Sequence, residues 1–304
     1  MKSKIIFIII SLFLVCGCTM TKTSLQEINI EQALMNIPVK ITENNSAGKV
    51  TLGLSISGYK NNSVDANISG HTLVNDKGIY QLEKVSDGEY REYAGVNTYF
   101  FKGKNFLWKL PEYSIIGNFD FCVNNNFAFF GGISYNLIND KENWNSNFGF
   151  GFFNEYDKMA FRVDMGIINN RCNYSIEYVK VEDKVITGNM YREVRLFNRS
   201  FSESYWGTFF STTINTRNIT PYVNFFVNYC IGIQTLYDID LPEDMNTDKN
   251  NFSLNSTVHN ISCGLFQHIY GPIRVILGIK FHKFKVENTH FNKTSYFSQI
   301  DFIL

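Results

Sequence analysis

The sequence predicts an all-β protein, a transmembrane antiparallel up-and-down β-barrel of ten strands, with twelve as the alternative. Three observations point there. From Gly48 to the last residue, apolar and polar residues alternate in segment after segment, the signature of strands with one apolar face. That face is unusually aromatic, with 28 Phe and 17 Tyr in 304 residues, and aromatic rings suit the two membrane interfaces. The links between segments read as alternately short and long, as in a barrel with tight turns at one end and loops at the other. No apolar run of about twenty residues, the length of a membrane helix, follows residue 18.

Residues 18–47 read as a polar spacer. Ser24 and Glu27 have the spacing of a capping box before a short helix over Leu25, Ile28 and Leu34; a flexible tether fits the same residues. The first strand is Val50–Ser57, where Val50, Leu52, Leu54 and Ile56 alternate with Thr51, Gly53 and Ser55. Residues 59–111 are the least regular stretch. Asn75-Asp76-Lys77-Gly78 and Asp87-Gly88 are turn signals, and 64–74 and 92–101 are two candidate strands.

Alternation then resumes. Ile115, Phe119 and Phe121 oppose Asn118, Asp120 and Cys122, while Phe127, Phe129, Ile133 and Tyr135 oppose Ala128, Gly132 and Ser134. Trp144, Phe148, Phe150 and Phe152 face away from Asn147, Gly149 and Gly151. Met159, Phe161, Val163, Met165 and Ile167 oppose Arg162, Asp164 and Gly166. Val223 to Ile233, Ile273 to Phe281 and Tyr296 to Leu304 repeat the pattern. Nine strands follow Tyr113, and Val50–Ser57 makes ten. An even number keeps both ends of the barrel on one side, so residues 59–111 add none or two. Short turns are expected at 124–126, 155–158, 217–219 and 270–272, and longer polar links at 139–143, 181–189, 238–251 and 287–293.

Charge is balanced, with 28 basic and 28 acidic residues, which removes any electrostatic case for nucleic acid. The polar strand faces carry Asp120, Arg162, Asp164, Arg274, Lys280, His282 and Asp301. One reading of these charges is a pore selective for small solutes. The other, favoured here, is a closed ion-pair network, because buried charges need partners and a barrel of about eight to ten strands is nearly filled by its own side chains. The histidines are His71, His259, His268, His282 and His290, and none sits beside a serine in a nucleophile motif. No phosphate loop, calcium loop or metal-spaced cluster appears. No enzyme site and no cofactor are therefore expected. Of Cys122, Cys172, Cys230 and Cys263, the strand register sends Cys230 inward and Cys263 outward, so free thiols are expected.

Two resemblances complete the reading. Lys2 and Lys4 precede an apolar run, Ile5–Val15, which closes on Val15-Cys16-Gly17-Cys18. This resembles the lipobox of bacterial lipoproteins. It implies a signal peptide over 1–17, a diacylglycerol on Cys18, and a periplasmic spacer over 18–47. Thr19 stands where an aspartate would signal retention at the inner membrane. Residues 48–304 resemble the small outer-membrane β-barrels, from a first strand opening Gly48-Lys49 to a last strand, Ser295 to Leu304, of alternating aromatic and apolar residues. That strand is similar to the terminal signal read by the barrel-assembly machinery, departing from it in ending on Leu304 rather than Phe. The resemblance implies an outer-membrane lipoprotein in contact with outer-membrane lipid, serving passive porin-like permeation or a surface structural role. The alternatives are an adhesin or scaffold with a closed barrel, a lipid-modifying enzyme, and a soluble β-sandwich lipoprotein.

Overall fold

The computed structural model describes residues 20–59, 62–68, 82–86, 89–92, 104–139, 141–186, 189–217, 223–240, 251–286 and 289–304. Its strands are β1 (Met20–Glu31), β2 (Val50–Tyr59), β3 (Ser63–Ile68), β4 (Leu82–Ser86), β5 (Glu89–Glu92), β6 (Lys104–Lys109), β7 (Tyr113–Asn124) and β8 (Phe127–Ile138). They continue with β9 (Lys141–Glu155), β10 (Met159–Ile186), β11 (Asn189–Thr216), β12 (Asn224–Asp240), β13 (Asn251–Tyr270), β14 (Ile273–Val286) and β15 (Thr289–Ile303).

Ten of them, β2 and β7 through β15, form a closed antiparallel ring. Consecutive strands pair, β10 pairs with β11, and β15 closes on β2. Within the ring, closure pairs each wall strand on both sides, the condition for a sheet in hydrocarbon. Among the described residues of 60–111 no strand joins the wall, since β3 to β6 lie outside the ring. The candidate strand 64–74 overlaps β3, while 69–74 and 93–101 lie outside the described residues.

The alternation read from the sequence is the in-out pattern of this wall. On β2, Leu52, Leu54 and Ile56 are exposed and Ser55 and Ser57 are buried. Phe119, Phe129, Phe148, Phe152, Phe225, Leu265, Leu277 and Ile300 carry the same apolar exterior around the ring. On β14 the outward apolar run lasts from Ile273 to Phe281, the length of about 9–11 residues that a tilted strand needs to cross a bilayer. A soluble sandwich would bury this face. Here the buried face is the mainly polar one.

The links differ from expectation. The expected loops 139–143, 181–189 and 287–293 are largely strand: β9 begins at Lys141, and the ladders of β10–β11 and β14–β15 run on to Ile186↔Asn189 and Val286↔Thr289. In β15 the polarity of Thr289, His290 and Asn292 reports exposed strand rather than loop. Short turns do fall at 125–126, 156–158 and 271–272, which mark the turn end of the barrel. The opposite end, the mouth, carries the long β10–β11 extension.

The N-terminal segment is the main departure. No helix forms over Leu25–Leu34, and the segment is not a free tether. β9 leaves β10 after Asn145↔Asn170, so the next part of β10 has an open edge. β1 fills that edge antiparallel, from Glu31↔Asn173 to Met20↔Asp183. Alternation of buried Ile28 and Ile30 with Glu27, Asn29 and Glu31 prevails over the helical spacing. Glu27 faces Glu177 across this pair, and burial first, then the Glu27 charge, pushes the Glu177 carboxyl above its ordinary range.

From Gln32 the chain enters the lumen, and it leaves at the turn end, where Gly48 and Lys49 lead into β2. Residues 32–43 are buried apart from a half-buried Asn36. Strands from around the ring hold them. The side-chain amide of Gln234 on β12 donates to Ala33 O (2.7 Å), and that of Asn260 on β13 donates to Met35 O (2.8 Å). Gln299 on β15 donates to Val39 O (3.0 Å) and Asn215 on β11 to Thr42 O (3.0 Å). Glu155 at the end of β9 receives the Asn44 and Asn45 amide N–H groups. This course has no ladder of its own, so inward amides of the wall satisfy its buried backbone.

The sheet at the mouth closes over it. β6 pairs with β1 in parallel and β3 with β6. Trp108 on β6 is fully buried, donates its indole N–H to Gln32 O (2.8 Å) and meets the Phe284 ring edge-on at 5.0 Å. Cys172 on β10 donates to Leu236 O on β12 across the opening.

The cysteines are free: Cys122, Cys172 and Cys230 are buried and Cys263 is exposed. Cys230 faces inward opposite Asn260, and Cys263 outward opposite Val227. Mass spectrometry of unreduced protein is expected to find four unlinked thiols downstream of residue 100. A Cys230–Cys263 linkage would show the register of β12 or β13 to be wrong.

Candidate functional site

The chemistry-bearing residues meet in the filled lumen. They sit at alternate positions of strands whose other face is apolar, so the pleat alone directs them inward. Asp120, Arg162, Asp164, Arg274, Lys280, His282 and Asp301 are all buried there. They form separate groups rather than one network.

Nearest the turn end on one side, Arg162 makes a two-pronged contact with Asp120, Nη1 to Oδ2 at 2.6 Å and Nη2 to Oδ1 at 2.8 Å. Its Nε donates to Asp164 Oδ1 at 2.7 Å. Gly151 on β9 leaves the room: a Cβ there would lie 2.3 Å from Asp164 Oδ1 and 2.8 Å from Arg162 Nη2. One guanidinium against two carboxylates leaves a surplus negative charge. Two further cations lie near this group, Arg274 toward Asp120 and Lys40 from the luminal segment. Lys40 lies 3.7 Å over the Phe130 ring and within electrostatic reach of Asp164 and Asp120.

Opposite, Arg274 donates through Nε and Nη2 to Asp301 Oδ2 (3.0 and 2.6 Å). Gln299 donates to the other Asp301 oxygen. Glu43 of the luminal segment stands 3.8 Å from Arg274 and 2.6 Å from His268. Higher in the lumen Lys280 donates to Asn36 Oδ1 (2.5 Å) and Ile37 O (3.0 Å). His282 bridges Asn260 Oδ1 (2.7 Å) and Ser295 Oγ (2.8 Å).

The sequence reading places the charges on the inward face but not the groups of the luminal segment that meet them. Lys40, Glu43 and Asn36 come from the stretch taken as a spacer. It also missed an apolar layer in which Val39 and Ile41 pack with inward Phe226, Phe266, Ile276 and Phe297. A signal was present. Those phenylalanines stand at polar-face positions, and Leu34 to Ile41 offers matching apolar residues. Of the histidines, His71 lies outside the described residues and His290 is exposed on β15. No group of three or more His, Cys, Asp or Glu residues able to hold a metal occurs among the described residues.

No protein-family model matches the chain, and no curated protein does. Among solved structures it is similar to LpxR from Salmonella typhimurium, at 9% identity and a TM-score of 0.30, covering 83% of this chain and 99% of that one. It is also similar to Pseudomonas aeruginosa OpdQ, at 7% identity and a TM-score of 0.23, covering 85% of this chain and 97% of that one. A third is Acinetobacter baumannii OccAB4, at 7% identity and a TM-score of 0.22, with 86% and 99% covered. The class is set by this chain's own geometry: a closed ten-stranded antiparallel barrel with an apolar exterior.

Proposed function

We propose that the protein is an outer-membrane barrel closed by its own N-terminal segment, a non-enzymatic surface scaffold rather than a channel. The observation that carries the reading is the burial of residues 32–43 between inward side chains of the wall. Porin-like permeation needs a water-filled lumen, and here the lumen is occupied. The turn end faces the periplasm and the mouth faces outward, following the arrangement usual for such barrels. On that orientation β1, β10 and β11 carry the displayed sheet.

The same reading revises where the N-terminal segment sits. Met20 pairs with Asp183 beyond the mouth, while Val50 pairs with Leu304 at the turn end. Residues 32–47 therefore run down through the barrel and residues 20–31 pair beyond its mouth, instead of lying beside it in the periplasm. A diacylglycerol on Cys18 is then attached to a segment that emerges on the cell surface.

Two measurements test this. Cys18→Ser is expected to abolish incorporation of labelled fatty acid, and persistent labelling removes the lipoprotein reading. Single cysteines at Thr21 and Asn125, in a background lacking Cys263, separate the two ends. An impermeant maleimide added to whole cells is expected to label position 21 and to reach 125 only after lysis. The opposite pattern inverts the barrel.

A further inference from the structure

The outer wall changes character abruptly along β13, β14 and β15 near the mouth. On β14 the outward series Ile273, Val275, Leu277, Ile279, Phe281 gives way to Lys283 and Lys285. On β13, Leu265, Cys263 and Ile261 give way to His259. On β15, Phe302, Ile300 and Tyr296 give way to Asn292 and His290.

Pairing brings the polar ends together. Lys283 stands opposite His259 on one side and Asn292 on the other, and Lys285 stands opposite His290. Between them lies a hollow of about 480 Å³, lined by Tyr229, His259, Ile261, Phe281, Lys283 and Asn292 among others. Tyr229 fixes one wall through its hydroxyl, 2.8 Å from His259 Nδ1. The floor is apolar and aromatic and the rim basic. Among the described outward side chains of these strands there is no carboxylate to neutralise the rim.

We propose that this hollow binds a phosphorylated glycolipid of the outer leaflet. A lipid is the occupant that matches both halves of the site. Its acyl chains lie along Ile261, Leu277 and Phe281, within the apolar band. Its phosphate groups meet Lys283 in the hollow and Lys285 just beyond it, where the band ends. A free anion would use only the rim and leave the apolar floor uncovered. A lone lysine at a membrane boundary would be an ordinary interfacial anchor, but here His259, Lys283 and Lys293, from three adjacent strands, line one concavity. Charge-assisted contacts from lysine to phosphate are among the stronger polar contacts available there.

The proposal rests on the outer-membrane reading and on the mouth facing outward, yet its test needs neither. Full-length protein is placed in nanodiscs of zwitterionic lipid, exposed on both faces. Binding of bisphosphorylated lipid A and of the same lipid freed of phosphate is followed by native mass spectrometry. The phosphorylated form is expected to bind at least tenfold more tightly. Lys283→Gln with Lys285→Gln is expected to remove that preference, while Lys158→Gln at the turn end leaves it intact. The double variant changes exposed side chains, and heat-modifiable migration on gels verifies its fold. Equal affinity for the two lipids, or an unchanged preference in the double variant, overturns the proposal. Competition by inorganic phosphate at concentrations equal to the lipid's would also overturn it, since it would make the site a free-anion site. Maleimide labelling in cells fails or succeeds separately, so loss of the orientation is distinguishable from loss of the lipid site.

Discussion

Deleting residues 21–43 is expected to turn a silent barrel into a conducting one. The intact protein in planar bilayers should show no steady single-channel current, because residues 32–43 are buried against the wall. The segment is held by Gln234, Asn260, Gln299 and Asn215, inward side chains of four strands. Removing it strips those amides of partners and reopens the β10 edge at the mouth, but it leaves the ladders among β2 and β7 to β15 untouched, so the ring is expected to survive. Water then replaces the backbone, since the exposed lining includes Asp120, Arg162, Asp164 and Asp301. Should the deletion refold poorly, Met35→Ser with Ile37→Ser and Val39→Ser loosens the plug in a full-length chain. Intermittent rather than steady openings are the expected record. Steady current through the intact protein would sink the plugged reading. A folded deletion variant that stays silent would show that the wall's own side chains close a barrel of this size.

The wall was legible in the sequence because its physics is local. A strand in a barrel shows one face to hydrocarbon and one to the lumen, so its period appears directly in residues such as Val163, Asp164 and Met165. Even the fate of Cys230 and Cys263 follows from counting by twos. The luminal segment obeys no such period. Residues 32–43 have no ladder partner, and their contacts lie far off in sequence, Met35 with Asn260 and Val39 with Gln299. A short segment of mixed polarity looks the same whether it is solvated or buried. β1 was missed for a related reason: its partner is the open edge of β10, which exists only because β9 ends early. The charged residues were placed on the correct face, but their grouping was not visible. It depends on which strands stand side by side and on Lys40 and Glu43, which belong to no wall strand.

Arg162→Met is expected to be the most damaging single substitution in the wall, at about 3–5 kcal/mol, the cost of removing one partner from a buried ion pair. Arg162 is fully buried and makes three short contacts to Asp120 and Asp164. Without it those two carboxylates keep only longer-range cations, Lys40 for both and Arg274 for Asp120, and neither retains a direct ion pair. The balance argument makes a sharper claim than destabilisation alone. Adding Asp164→Asn to Arg162→Met leaves Asp120 against Lys40, so the double variant is expected to recover more than half of the loss. Lys40→Met, made alone, should reproduce the imbalance from the other side, although it lies outside the wall and touches no ladder. Reversible urea unfolding in detergent-stabilised vesicles, followed by tryptophan fluorescence and gel migration, measures all three. A loss under about 1 kcal/mol for Arg162→Met, within the range of ordinary substitutions, would mean that water or relaxation screens the site. A double variant less stable than Arg162→Met would mean that Asp164 is held by something other than charge balance, and that Lys40 does not complete the group.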